Sequence, residues 1–163
     1  MILAFNVAEE QLGESDILTR AAKRCAAEKM EAMVVSAQVE SEIALLESEE
    51  ERQDFLDDLG ITEPALGVLT RLCLKALGLV SFFTVGEDEV RQWLVRRNSP
   101  APVAAGVIHS DLQRGFIRAE VMKCNELIDY GSESALKKAG KMHLEGKEYI
   151  VVDGDILNIR FKV

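Results

Sequence analysis

The sequence predicts an α+β fold in two parts: a parallel strand–helix–strand unit with further helices, then a β-grasp, ubiquitin-like sheet. Three observations carry this expectation. Apolar runs at residues 1–6 and 32–35 flank a helical pattern over residues 16–29, and a crossover of helical length joins parallel neighbours. Strand patterns at residues 80–85 and 90–96 meet at the polar turn Gly86-Glu87-Asp88-Glu89, the spacing of a hairpin. Past Gly115, Ile117, Ala119 and Val121 alternate with Arg118 and Glu120, so one face of a strand is buried and the other wet.

Taken in order, residues 1–6 read as a buried strand. They are too short to cross a membrane and lack the basic flank of a signal peptide. A chain that begins inside a buried strand suggests a preceding segment, and also an exposed apolar edge with disorder or self-association over residues 1–46. Ser15 and Asp16 offer a helix N-cap, with Ile17, Ala21, Ala22 and Cys25 on one face. Residues 38–46 are helical in pattern. The run Ser48-Glu49-Glu50-Glu51 opens another helix, since carboxylates suit a first turn. Gly60 ends it, and Pro64 sits in the first turn of a helix whose apolar stripe is Leu66, Leu69, Leu72, Cys73, Ala76 and Leu77.

The second part begins near Leu79. Residues 98–102, with two prolines, read as a loop, residues 103–108 as a short helix, and His109-Ser110-Asp111 as a polar bend whose Ser or Asp caps the turn into Gly115. Short helices are expected at 125–130 and 132–139, and short strands at 142–144 and 148–152. Asp153-Gly154 turns into a last strand that buries Ile156, Ile159 and Phe161. The organisation expected is therefore 1–46, a helical connector at 47–79, and a β-grasp domain at 80–163.

Composition bounds the function. With 48% apolar residues the chain can build a core. Residues 1–79 hold 7 Lys/Arg against 16 Asp/Glu, and residues 80–163 hold 12 against 12. All the net charge of -9 sits in the first part, which phosphate would repel. Cys25, Cys73 and Cys124 form no Cys-x-x-Cys pair, so free thiols in a cytoplasmic protein are expected, with no disulfide framework or metal site.

In open parallel sheets, ligands bind beyond the carboxyl ends of the strands. Here those ends are Asn6-Val7-Ala8-Glu9 and Ser36-Ala37. In GTPase-type folds an Asn-Lys-x-Asp loop and a Ser-Ala loop grip guanine: the Asp accepts from N1 and N2, and a backbone N–H of the Ser-Ala loop donates to O6. Val7 replaces the Lys and Glu9 the Asp, and the longer Glu misplaces that grip. The unpaired groups cost roughly 1–3 kcal/mol, so guanine loses its advantage.

Together with Val35-Ser36-Ala37 and Glu40, Asp57-Asp58-Leu59-Gly60-Ile61, Phe82-Phe83-Thr84-Val85-Gly86, the run from Ile108 to Val121, Gly146-Lys147-Glu148-Tyr149-Ile150-Val151 and Asp153-Gly154-Asp155, this loop resembles the YchF group of Obg-like ATPases along essentially the whole chain. The resemblance implies that residues 1–46 are the remnant of a parallel α/β nucleotide-binding sheet, the C-terminal part of a GTPase-like domain, and that residues 80–163 are a TGS domain. It implies a family that binds and hydrolyses ATP in preference to GTP, with magnesium, and associates with ribosomes. By the same resemblance Asn6 bonds adenine, Val7 lines the base pocket, Ser36 and Ala37 close it, and Glu9 marks the altered base preference.

The sequence contains no Gly-x-x-x-x-Gly-Lys-Ser/Thr run. The nearest mimic, Gly140 to Gly146-Lys147, has one residue too many and leads into a strand. The chain alone is thus expected to hold no cofactor and to be inactive. A base-edge hydrogen bond nets about 0.5–1.5 kcal/mol, whereas millimolar affinity needs roughly 4 kcal/mol.

Neighbours such as His109, Ser110 and Asp111 cannot converge as a catalytic triad, and His143 reads as a surface residue. Arg96, Arg97, Lys137, Lys138 and Lys141 are the candidate contact to ribosomal RNA, as one patch. Neither membrane nor DNA is expected as a partner. The competing expectation is a self-standing β-grasp module that binds protein or RNA without nucleotide chemistry.

Overall fold

The structure, a computed structural model, describes residues 1–12, 16–86 and 88–162. Ser15, expected as a helix cap, and Glu87 of the hairpin turn lie outside the described residues, as does the Ile17 side chain. The chain divides into two units, Met1–Leu77 and Gly78–Val163.

In the first unit β1 (Ile2–Asn6) and β2 (Glu31–Val35) run parallel, from Ile2 opposite Glu31 to Asn6 opposite Val35, joined by α1 (Asp16–Ala27). Cys25 is buried and Ala21 half-buried, while Ala22, expected on the same face, is exposed. Among the described residues β1 has β2 as its one strand neighbour. Two helices follow, α2 (Ala37–Leu45) and α3 (Glu49–Asp58). Ser48 Oγ accepts the Glu51 N–H at 3.1 Å and the Glu51 carboxylate accepts the Ser48 N–H at 3.2 Å. This reciprocal cap explains the acidic run as a helix start.

Val39, Ile43 and Leu56 form the core of this unit, with Leu12, Phe55, Leu59 and Ile61 packed against them. Of residues 47–79, expected as a connector, Leu56 packs in this core, and the residues up to Leu77 fall within the first unit. Gly60, at φ 67°, ends α3. The next helix, α4 (Ala65–Leu77), starts one residue after Pro64, whose carbonyl accepts the Gly67 N–H at 3.1 Å. Its expected apolar stripe is not buried: Leu66 is 70% and Leu77 64% exposed.

The second unit contains β3 (Leu79–Val85), β4 (Val90–Arg96), α5 (Ala101–Ile108), α6 (Ser110–Arg114), β5 (Phe116–Lys123), α7 (Cys124–Tyr130), α8 (Glu133–Lys138), β6 (His143–Glu145) and β7 (Asp155–Phe161). The sheet order is β4-β3-β7-β5-β6, with β3 and β7 parallel and the other pairs antiparallel. That is the β-grasp arrangement. Ala101, Ala104 and Ala105 of α5 press against Val80, Phe82, Phe116, Ala119, Val121 and Leu157. Small helix residues bring the backbone close enough to pack the sheet without voids.

Several local expectations need correction. The helix α5 begins at Ala101, inside the stretch read as a loop, because Pro100 fits the cap position and Pro102 the first turn. The polar bend is the short helix α6, and its cap is His109: Nδ1 accepts the Asp111 N–H at 3.2 Å. A register shift between Phe116 and Arg118 turns Ile117 outward, 52% exposed, and buries Phe116. In β7 the buried apolar residues are Ile156 and Leu157, and Phe161 is 46% exposed near the strand's end. Residues 148–152 form one isolated bridge, Ile150 to Pro100, rather than a strand. The Val152 N–H is taken by the Asp155 side chain instead of a ladder.

Candidate functional site: the rim at the strand ends of the first unit

Because β1 and β2 are parallel and in register, their carboxyl ends coincide. The Val7 N–H donates to the Val35 carbonyl at 2.9 Å, extending the ladder by one bond. Asn6 Oδ1 then accepts the Ala37 N–H at 3.0 Å across a separation of 31 residues. The two loops singled out from the sequence therefore meet, with Asn6 and Ala37 exposed and Val7 half-buried. With Oδ1 engaged, Asn6 offers its amide N–H groups to anything beyond the rim. Glu9 is exposed at the start of a 3-10 turn, Glu9–Gln11, steadied by the Gln11 side chain accepting the Ala8 N–H at 3.2 Å.

Ser36 is 3% exposed, and its hydroxyl has no hydrogen-bond partner among the described residues. Burying such a group unpaired costs about 1–3 kcal/mol. Its carbonyl accepts the Glu40 N–H at 3.0 Å, and Glu40 Oε1 accepts the Ala65 N–H at 2.7 Å. A carboxylate one turn behind the rim thus caps α4. Sequence reading named Glu40 without a role, because no spacing rule links it to a helix 25 residues further on.

Of the five basic residues of the second unit, Arg96 lies at the end of β4 opposite Leu79 and is exposed. Lys141 is held by Glu126 at 2.9 Å, a contact that raises the lysine's pKa. Arg97, Lys137 and Lys138 are exposed, and so is His143.

A further cluster was not singled out from the sequence. Asp155 is fully buried and accepts from Lys123 Nζ, from the Tyr149 O–H at 2.8 Å and from the Val152 N–H at 2.8 Å. Burial raises the Tyr149 pKa, and the Asp155 hydrogen bond and charge raise it further. All three cysteines are free. No helix of the described residues is long and apolar enough to cross a membrane.

Fold and rim together define the class: a parallel α/β portion ending in an Asn-x-x-Glu loop braced against a Ser-Ala loop, followed by a β-grasp unit. The family model YchF-GTPase_C, described as a protein of unknown function (DUF933), matches residues 79–162. Bacillus subtilis ribosome-binding ATPase YchF is 45% identical over 161 residues, covering 97% of this chain and 44% of that protein. Rat Obg-like ATPase 1 is 49% identical over 114 residues, 70% of this chain and 28% of that protein. The structure of the Schizosaccharomyces pombe YchF GTPase superposes with a TM-score of 0.81 at 32% identity, covering 98% of this chain and 43% of that one. The chain belongs to the YchF group of Obg-like ATPases and spans less than half the length of these relatives.

Proposed function

We propose that the chain supplies the base-holding rim and a TGS-type β-grasp domain to an ATPase that works on ribosomes. The observation that carries this reading is the bond between Asn6 Oδ1 and the Ala37 N–H. In the guanine-reading arrangement the Ser-Ala loop donates a backbone N–H to O6. Here the Ala37 N–H is spent within the protein, and a guanine O6 left unpaired costs about 1–3 kcal/mol. Asn6 keeps an N–H for the N7 acceptor that both purines carry. Glu9, one methylene longer than Asp, removes the second guanine contact.

The rim holds only the base. The chemistry on the triphosphate, with magnesium, falls to a phosphate loop of the kind absent from this sequence. The names of the bacterial relatives support the ribosome as partner, and the exposed Arg96, Arg97, Lys137 and Lys138 are the groups for the RNA contact.

Amide NMR titration of this chain tests the base reading. ATP is expected to shift Asn6, Val7, Ser36 and Ala37 only above millimolar concentration, and GTP more weakly. Equal or larger shifts with GTP refute the adenine preference, and saturable uptake of ATP below millimolar refutes the division of labour.

A further inference from the structure

Between the end of β2, α2 and the loop leading into α4 lies a cleft of about 270 Å³. Its walls are aliphatic, Val39, Ile61 and Val68 among them, and its polar lining includes Ser36, Glu40 and Glu63. Asn6, Val7, Glu9 and Ala37 do not line it, so of the rim residues it shares Ser36 alone.

The charges in the cleft are unequal in what they leave free. Arg71 grips Glu63 through both guanidinium nitrogens, one at 2.7 Å, which lowers the pKa of Glu63 and neutralises it. Glu40 spends Oε1 on the Ala65 N–H and keeps Oε2. Ser36 adds a hydroxyl that is 3% exposed and unpartnered among the described residues. The surrounding sequence carries 16 acidic groups against 7 basic ones over residues 1–79. An anion is repelled from such a place, and a purely apolar molecule leaves the carboxylate and hydroxyl unanswered. A protonated amine on an apolar body answers both.

We propose that the cleft binds a small organic cation, with its ammonium on the Glu40 carboxylate and its apolar body against Val39, Ile61 and Val68. The volume is that of about nine water molecules at roughly 30 Å³ each, room enough for phenethylammonium.

The test is amide NMR titration of the whole chain with phenethylammonium, phenethyl alcohol and hydrocinnamate, three probes of similar shape and different charge. The ammonium is expected to shift the amides of Val39, Glu40, Ile61 and Val68 and to bind about tenfold more tightly than the alcohol, as a hydrogen bond to a charged group warrants. Glu40→Gln keeps an oxygen for the Ala65 N–H and removes the charge, so it is expected to erase that advantage. Val68→Phe fills the cleft and is expected to abolish binding of all three. Hydrocinnamate binding as tightly as the ammonium, an unchanged preference in folded Glu40→Gln, shifts outside the cleft, or no shift with any probe up to its solubility overturns the proposal.

Discussion

Replacing Asp155 by Ala tests the network beneath the β-grasp sheet. The carboxylate is fully buried and receives Lys123 Nζ, the Tyr149 O–H and the Val152 N–H. Hydrogen bonds to a charged group contribute about 1.5–3 kcal/mol each. Lys123 is 40% exposed and recovers water when released, so its share is discounted. The Tyr149 and Val152 donors remain, for a loss of about 3–6 kcal/mol. A domain of this size holds roughly 5–15 kcal/mol in all, and each kcal/mol moves its midpoint by about 4–8 °C. Thermal unfolding followed by circular dichroism should therefore show a drop of at least about 12 °C. Asp155→Asn, which keeps an acceptor, should fall between Ala and wild type.

The pH arm has a definite sign. The Tyr149 pKa is raised in the folded state, so stability from this group is full below the ordinary value of 10.0 and is lost as pH climbs above it. Asp155→Asn should bring phenolate formation to lower pH. A loss under about 1 kcal/mol for Asp155→Ala, well short of what its hydrogen bonds contribute, refutes the reasoning.

Three further outcomes are expected. A Cβ on Gly115 would lie 2.3 Å from the Lys162 carbonyl oxygen, so backbone there would have to shift. Gly115→Ala should cost about 1–3 kcal/mol in urea unfolding, as overpacking does. Leu157→Ala, in the core, should cost about 2–5 kcal/mol, whereas Phe161→Ala should cost far less because that ring is 46% exposed; equal losses would contradict the placement of the core. Reversing Arg96 and Arg97, or Lys137 and Lys138, to Glu should each weaken co-sedimentation with ribosomes, and reversing all four should abolish it; unchanged pelleting rules these contacts out.

Much of the architecture was legible because periodicity survives in sequence. The parallel pairing of β1 with β2 followed from two apolar runs and a helical crossover. The meeting of Asn6 with Ala37 followed from strand polarity alone. Elsewhere the packing departed from the local pattern. Ile117 fits the alternation of a strand, yet the register shift beside Phe116 turns it outward. Phe161 is the largest apolar residue of β7, but the core takes Leu157 and Ile156. The α4 stripe has helical spacing, yet Leu66 and Leu77 remain exposed. No sequence rule connects Lys123 with Asp155 or Glu40 with Ala65, because those bonds exist only once the elements have packed.

The central claim is that these residues carry the base-reading half of an ATPase, and a chimera measures it directly. This chain would replace the matched portion of Bacillus subtilis YchF, and hydrolysis of ATP and GTP would be compared side by side. The account predicts faster turnover of ATP, with Glu9→Asp shifting the ratio toward GTP. A folded chimera that prefers GTP, or one indifferent to Asn6→Ala, contradicts it.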